Sequence, residues 1–117
     1  MSSLTKISYI KAFSDNYIWA LNHQKTKAVA LVDPGDGAAC IDFLEQNQLS
    51  LSAILITHHH ADHTGGIKDL VAYCQKNNWP LTIYGPANEN ISHCNVKLTE
   101  NDIVNLTDVN VTFQVID

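Results

Sequence analysis

The most reactive stretch of the sequence places four histidines and an aspartate within six consecutive positions. They are His58, His59, His60, Asp62 and His63. The chain has six histidines, so four of the six lie in this one run. Imidazole and carboxylate groups together suit zinc, iron or manganese. The run therefore predicts a metal site and, through a metal-bound hydroxide, hydrolytic chemistry.

The spacing of these residues predicts two neighbouring metal positions. His58 and His60 are two residues apart, and such residues point to the same face of an extended backbone, so both imidazoles can reach one ion. Asp62 and His63 follow where the chain turns, and we expect them to reach a second ion nearby. His59 points to the opposite face. A role in lining the site behind the ligands and simple exposure both remain open for it.

An exposed polar loop or an adventitious metal site, like a purification tag, is the alternative interpretation of the run. A tag would lie at a terminus in a polar context. This run instead follows the apolar residues 53–56 and precedes a helix pattern that begins at Gly66. Gly65 and Gly66 would let that helix begin close to the metals without Cβ clashes. The context therefore favours a true site.

Asp33 is a further candidate, at the end of an apolar stretch and before Pro34 and Gly35. An aspartate before Pro-Gly can simply form the turn. It can also be a carboxylate that orients a metal-bound imidazole. The residues alone leave both roles open. His23 and His93 are isolated, and we interpret them as surface histidines.

Composition excludes several classes of function. The chain has 117 residues, 45% hydrophobic and 16% charged, as in one globular domain or part of one. Its seven cationic residues are all lysine and its net charge is -5, which disfavours a nucleic-acid groove or an anionic membrane surface. No apolar run approaches the ~20 residues that span a bilayer. The N-terminus has no apolar signal core, so we expect a cytoplasmic location.

The three cysteines also favour a cytoplasmic location. Cys40, Cys74 and Cys94 are odd in number and widely spaced, without a CxxC pair. Free thiols in a reducing compartment are the simplest interpretation. Cys40 and Cys74 fall at apolar positions of predicted helices, so we expect both in the core.

Strand and helix patterns alternate along the chain and must position the run. The predicted strands cover residues 5–10, 17–21, 28–32, 52–56, 81–84, 96–98 and 109–116, and the predicted helices cover 38–46 and 66–77. This order predicts an α/β arrangement with at least one sheet covered by helices. The histidine run lies just past the carboxyl end of the fourth strand, where open α/β sheets bind their ligands.

The run His58-x-His60-x-Asp62-His63 resembles the metal signature of the metallo-β-lactamase superfamily. Residues 12–19, 32–36 and 83–86 resemble, in order and spacing, the glyoxalase II family of hydroxyacylglutathione hydrolases. The resemblance covers essentially the whole chain, but only the first half of a family member.

Membership of this family implies an α/β (α+β) fold, the metallo-β-lactamase-like αββα sandwich. It implies two divalent metal ions, zinc first with iron or manganese as alternatives. By position, His58 and His60 hold the first metal, and Asp62 and His63 hold the second and carry the catalytic role. Asp33 matches a buried aspartate near the site. The implied reaction is hydrolysis of S-lactoylglutathione, or another S-(2-hydroxyacyl)glutathione, to the hydroxy acid and glutathione, in methylglyoxal detoxification.

The resemblance also implies that residues 1–117 are the N-terminal part of the catalytic domain. The C-terminal half, with its further metal ligands, and the helical glutathione-binding domain have no counterpart here. Each metal would keep two protein ligands, whereas a catalytic zinc has about three. We therefore expect weak metal binding, little or no thioesterase activity of this chain alone, and self-association through an exposed apolar sheet face.

Two other functions remain open at this point. A persulfide dioxygenase uses one iron in the same scaffold. A remnant that only binds metal or a partner would be no enzyme at all. Iron content with oxygen uptake would identify the first, and continued inactivity after the missing half is restored would identify the second.

Overall fold

The computed structural model describes residues 5–12, 16–57, 66–89, 91 and 93–115. Within these ranges the strands are β1 (Thr5–Ala12), β2 (Asn16–His23), β3 (Ala28–Val32), β4 (Ser50–Leu55), β5 (Thr82–Pro86), β6 (Val96–Leu98), β7 (Ile103–Leu106) and β8 (Val111–Gln114). The helices are α1 (Gly37–Asn47) and α2 (Ile67–Lys76), with a 3-10 turn at Thr107–Val109.

Strands β1 to β6 form one sheet in chain order, and β7 pairs with β8 in a second. The pairs β1–β2 and β2–β3 are antiparallel, while β3, β4, β5 and β6 run parallel. Parallel strands end at the same edge of a sheet. The segments that follow β3, β4 and β5 therefore meet at one edge, where open α/β sheets place their ligands.

Both helices cover one face of the large sheet. Leu44 of α1 and Leu70 of α2 are fully buried, and they share a core cluster with Ile18, Leu31 and Ile54 of the sheet. Burying such side chains stabilises the fold by about 1.5–3 kcal/mol each. This layer fixes where both helices begin, and both begin beside the ends of the parallel strands.

Local hydrogen bonds set the ends of α1. The Asp36 carboxylate accepts from the backbone N–H of Ala39 at 3.1 Å and so caps the helix start. At the other end, Gln48 adopts a left-handed backbone and Leu49 N donates to Leu44 O at 2.9 Å. This closes the helix as in a Schellman motif.

The β7–β8 hairpin covers part of the opposite face. Val104, Leu106 and Val109 pack onto Ala30 and Leu55 in a second, smaller core cluster. Together the described residues form a helix layer, a large sheet and a small sheet. The predicted α/β class with a sheet covered by helices is therefore confirmed.

The predicted bounds of β3 and β6 are confirmed at both ends. The prediction of one last strand from 109 to 116 was wrong. Val109 ends the 3-10 turn and is fully buried, and β8 begins at Val111. The prediction also missed β7. Gly85 and Pro86 were expected to stop β5, yet both lie within it, since a proline is tolerated at a strand end.

Candidate metal site

Asp33 connects the ends of the parallel strands β3 and β4. Its backbone N–H donates to Leu55 O at 2.8 Å, one residue beyond the end of β3. Its carboxylate accepts two hydrogen bonds from Thr57, one from the backbone N–H at 2.7 Å and one from the side-chain hydroxyl. Asp33 has a φ of 52°, in the left-handed region that aspartate tolerates better than most residues. The residue therefore fastens the segment that leads into His58.

Gly66 is fastened to the neighbouring residue, Pro34. The Gly66 N–H donates to Pro34 O at 2.9 Å. A Cβ at position 66 would overlap that same carbonyl oxygen and would lie 2.7 Å from Gly37 N. Only glycine fits this approach of backbone to backbone. We expected this glycine to make room for metals; in the described residues it makes room for the turn between β3 and α1.

These two contacts close the histidine run at its base. Thr57 and Gly66 are the described residues on either side of positions 58–65. Thr57 binds Asp33, and Gly66 binds the adjacent residue Pro34. The two described residues that flank the run are therefore held at the carboxyl edge of β3 and β4. We use the name histidine loop for positions 58–65 of the sequence.

The predicted ligands themselves, His58, His60, Asp62 and His63, lie outside the described residues, as do His59 and Gly65. Their convergence on two metal positions stays a prediction. Among the residues that the structure describes, no group of three or more His, Cys, Asp or Glu side chains is arranged to hold a metal. The imidazole and carboxylate groups in the histidine loop, together with the contacts that hold Thr57 and Gly66, are compatible with a metal site there.

A cavity of about 670 Å³ opens beside Thr57. Its lining combines apolar side chains from both sheets with polar groups at the ends of the strands. The lining residues are Val32, Leu55, Ile56, Thr57, Tyr84, Pro86, Ala87, Asn88, Leu98, Thr99, Glu100, Phe113, Gln114 and Val115. This volume is typical of small-molecule sites. Sequence reasoning missed the cavity because its lining is drawn from segments far apart in the chain.

The isolated histidines differ from each other. His93 is exposed, as expected. His23 is half-buried, and its Nδ1 accepts from the backbone N–H groups of Lys25 and Thr26, both at 3.2 Å. His23 therefore organises the turn between β2 and β3, a role that the sequence did not predict.

The cysteines are free thiols, and the core positions predicted for Cys40 and Cys74 are confirmed. Burial, with a smaller contribution from Asp36, raises the pKa of Cys40 to about 12. Burial alone raises the pKa of Cys74 to about 11. Neither thiol is ionised at neutral pH, so neither is a nucleophile there.

Solved structures show the class of fold to which this arrangement belongs. The BLEG-1 B3 metallo-beta-lactamase superposes with a TM-score of 0.70 and 20% identity, over 93% of this chain and 59% of that one. ETHE1 from Myxococcus xanthus superposes with a TM-score of 0.67 and 22% identity, over 96% of this chain and 47% of that one. At these identities the likeness concerns the fold alone.

Sequence comparison shows the family. A profile of the metallo-beta-lactamase superfamily matches residues 15–96. The chain belongs to the metallo-β-lactamase superfamily. Within the described part of the chain, no helix has the length and apolar character that a bilayer crossing requires.

Curated relatives are named hydroxyacylglutathione hydrolase. The relative from Shewanella baltica is 58% identical over 85 residues, which is 73% of this chain and 31% of that protein. The relative from Cupriavidus metallidurans is 46% identical over 116 residues, which is 97% of this chain and 43% of that protein. The chain thus spans less than half the length of these two relatives.

Proposed function

We propose that this chain is the metal-binding part of a glutathione thioesterase. The reaction would convert an S-(2-hydroxyacyl)glutathione, S-lactoylglutathione in particular, and water to the hydroxy acid and glutathione. In a cell this would serve methylglyoxal detoxification. The relatives from Shewanella baltica and Cupriavidus metallidurans, both named hydroxyacylglutathione hydrolase, support this reaction. The free thiols of the chain are compatible with the cytoplasmic location that the reaction implies.

The observation that carries the proposal is the closure of the histidine loop on Asp33 and Pro34. Thr57 and Gly66 bind adjacent residues, so both ends of the histidine loop are fastened at one place. Metal binding costs less entropy when the ligands are already confined to one place. A tethered loop rich in imidazole and carboxylate groups is compatible with a catalytic metal site and is not typical of an adventitious one.

Within this proposal, His58 and His60 hold one divalent ion, and Asp62 and His63 hold a second. Zinc is the expected metal, with iron or manganese as alternatives. When bound, the metals would supply a hydroxide at neutral pH and polarise the thioester carbonyl. The described residues contribute positioning. Asp33 fixes the segment before His58 through Thr57, and such supporting contacts commonly change metal affinity by 10–100-fold.

The cavity beside Thr57 is the proposed place for the substrate. Its apolar lining would exclude water from the thioester, while its polar residues lie at the strand ends near the loop. The described lining includes no lysine, arginine or histidine. The two carboxylates of glutathione would therefore need cationic partners from other polypeptide. For this reason, and because the predicted set supplies two ligands to each metal, we propose that residues 1–117 alone bind metal weakly and hydrolyse little substrate.

Complementation tests the proposal. The 117-residue chain would be mixed with the separately expressed C-terminal part of the Cupriavidus metallidurans relative, and hydrolysis of S-lactoylglutathione would be followed with added zinc. We expect activity from the mixture and none after His58→Ala, while His93→Asn serves as the control because asparagine tolerates the left-handed backbone of that position. Metal uptake without hydrolysis would indicate a remnant. Iron uptake with oxygen consumption on glutathione persulfide would indicate a dioxygenase.

A further inference from the structure

The two helices begin at the same place in the molecule. Gly66, the residue between the histidine loop and α2, lies directly against Gly37, the first residue of α1. A Cβ at position 66 would lie 2.7 Å from the backbone nitrogen of Gly37 and 3.0 Å from its Cα. The N-terminus of a helix carries about half an elementary positive charge. Two positive helix ends therefore meet beside the residue that follows the predicted metal ligands.

Asp69 places a carboxylate at this junction of the two helices. It belongs to the first turn of α2, and its side chain lies against Gly37 of α1. A Cβ at position 37 would lie 2.8 Å from both Cβ and Oδ2 of Asp69. The carboxylate of Asp36 is also near the start of α1, but it accepts the N–H of Ala39. Asp69 is therefore the carboxylate that the N-termini of both helices share.

Gly37 is a glycine because Asp69 leaves no space for a side chain. No glycine in the described part of the chain has a positive φ, so position 37 does not need the conformational freedom of glycine. Gly37 is buried, and the Cβ of Asp69 is held in place by its helix. Two carbon atoms 2.8 Å apart would overlap, since non-bonded carbons prefer about 3.5–4.0 Å. The close contact between α1 and α2 therefore depends on the residues at both positions.

We propose, on the basis of the proposed function in which the histidine loop binds metal, that Asp69 is a positioning residue for that metal site. Asp33 fixes Thr57, the residue before the loop. Asp69 acts on the other side, because it holds the first turn of α2 against α1 and so fixes Gly66, the residue after the loop. Its negative charge also offsets the two positive helix ends, which would otherwise oppose the binding of cations nearby.

The exposure of Asp69 sets the size of the expected effect. Asp69 is exposed, so water and salt screen its charge. The interaction of such a carboxylate with a helix N-terminus corresponds to a roughly two- to fivefold change in an equilibrium constant. We therefore expect the loss of the Asp69 charge to weaken zinc binding roughly two- to fivefold, which is less than the change expected for Asp33.

The zinc affinity of the 117-residue chain, measured by competition with a chromophoric chelator, tests the proposal. Asp69→Asn keeps the shape of the side chain and removes its charge, so it should show the two- to fivefold loss. Asp69→Glu restores the charge and should retain the affinity. Asp42→Asn is the control, because it removes the same charge from an exposed position in the second turn of α1. The effect of Asp69→Asn should disappear in about 1 M salt, which a purely structural role would not produce.

A pair of substitutions tests the contact itself. Gly37→Ala should weaken zinc binding, because the new methyl group overlaps Asp69 and displaces the start of α2. In an Asp69→Gly chain the methyl group has room, so Gly37→Ala should cost less affinity there. Additive effects of the two substitutions would overturn the proposal, and so would equal zinc affinities of Asp69→Asn and Asp42→Asn, although metal binding would then stand. A wild-type chain that takes up no zinc would overturn both the proposal and the proposed function.

Discussion

Asp33 binds Thr57 through both carboxylate oxygens: one accepts a hydrogen bond from the backbone N–H of Thr57, and the other accepts one from its hydroxyl. Asp33 stands at the end of β3 and Thr57 two residues past the end of β4. The contact therefore spans neighbouring parallel strands at the point where the histidine loop begins. It joins Thr57, the residue before the first predicted ligand, to the turn between β3 and α1.

Removing this contact should weaken metal binding more than it weakens the fold. Asp33→Gly deletes the carboxylate while keeping a residue that adopts the left-handed backbone without strain. We expect zinc affinity to decrease about 10–100-fold, measured by competition with a chromophoric chelator. Asp33→Asn should lose less, because the amide can still accept from the N–H and donate to the hydroxyl oxygen of Thr57.

Asp102 provides the control for this experiment. Its carboxylate accepts from the N–H of Thr99 at 2.8 Å and from the hydroxyl of Thr99 at 3.2 Å, in a turn remote from β3 and β4 in the sequence. Asp102→Ala removes the same kind of contact and should leave zinc affinity unchanged. If both variants lose affinity equally, the role of Asp33 is general stability and not positioning.

Gly66→Ala should destabilise the chain by about 2–3 kcal/mol, because the new methyl group meets backbone that cannot rotate away. Gly85→Ala is the matched control. Its methyl group would lie 2.8 Å from Ile91 Cδ1, the end of a flexible side chain, so we expect a cost below about 1 kcal/mol. Urea unfolding of the two variants gives the comparison. A Gly66→Ala chain as stable as the wild type would show that the contact with Pro34 is absent in solution.

Stability should decrease at alkaline pH through Cys40. Its pKa is about 12 when folded against an ordinary value of 9.0, so the folded chain holds the proton that the unfolded chain releases. The contribution is complete below pH 9.0 and is lost as the pH rises toward about 12. The slope approaches about 1.4 kcal/mol per pH unit. Cys40→Ala should show a shallower decrease of the unfolding free energy above pH 9.0, and equal slopes would contradict the assignment.

Zinc should raise the melting temperature through the histidine loop. A ligand that binds only the folded chain stabilises it according to its concentration and affinity. His60→Ala should abolish most of this shift, and chelator should reverse it in the wild type. His23→Ala should lower the melting temperature by disrupting its turn but leave the zinc-induced increment intact. An increment that survives His60→Ala would remove that residue from the predicted ligand set.

The sequence predicted the parallel part of the fold well because its strands are continuous apolar runs. Residues 28–32 coincide with β3, whose central residues Val29, Ala30 and Leu31 are completely buried. The small second sheet was harder. In β7 the apolar residues Val104 and Leu106 alternate with Asn105 over only four positions, which gives a weak pattern. Asn110, in a left-handed backbone, then reverses the chain where a continuous strand was expected.

The candidate metal site was also predicted only in part. Residue types and spacing predicted the metal ligands, which lie outside the described residues, and Asp33 binds Thr57, the residue before the first of them. The sequence left open what the Asp33 carboxylate binds, because Thr57 lies 24 positions away and the contact depends on β3 lying next to β4. The need for glycine at position 66 was predicted from room for metals, and the described residues add a second reason, the contact with Pro34. Pro34 lies far from Gly66 in the sequence, so only the folded structure shows that the two are neighbours.

The contacts of Asp33 with Thr57 and of Pro34 with Gly66 separate the residues that build the fold from the residues predicted to bind metal. Thr57 and Gly66 bind Asp33 and Pro34, whereas the predicted metal ligands all lie at the positions between Thr57 and Gly66. Natural selection could therefore exchange donor atoms within that interval, and with them the preferred ion or the bond that is broken, while the architecture underneath stays as it is. A chain built this way is well suited to give rise to enzymes that look alike and do different things.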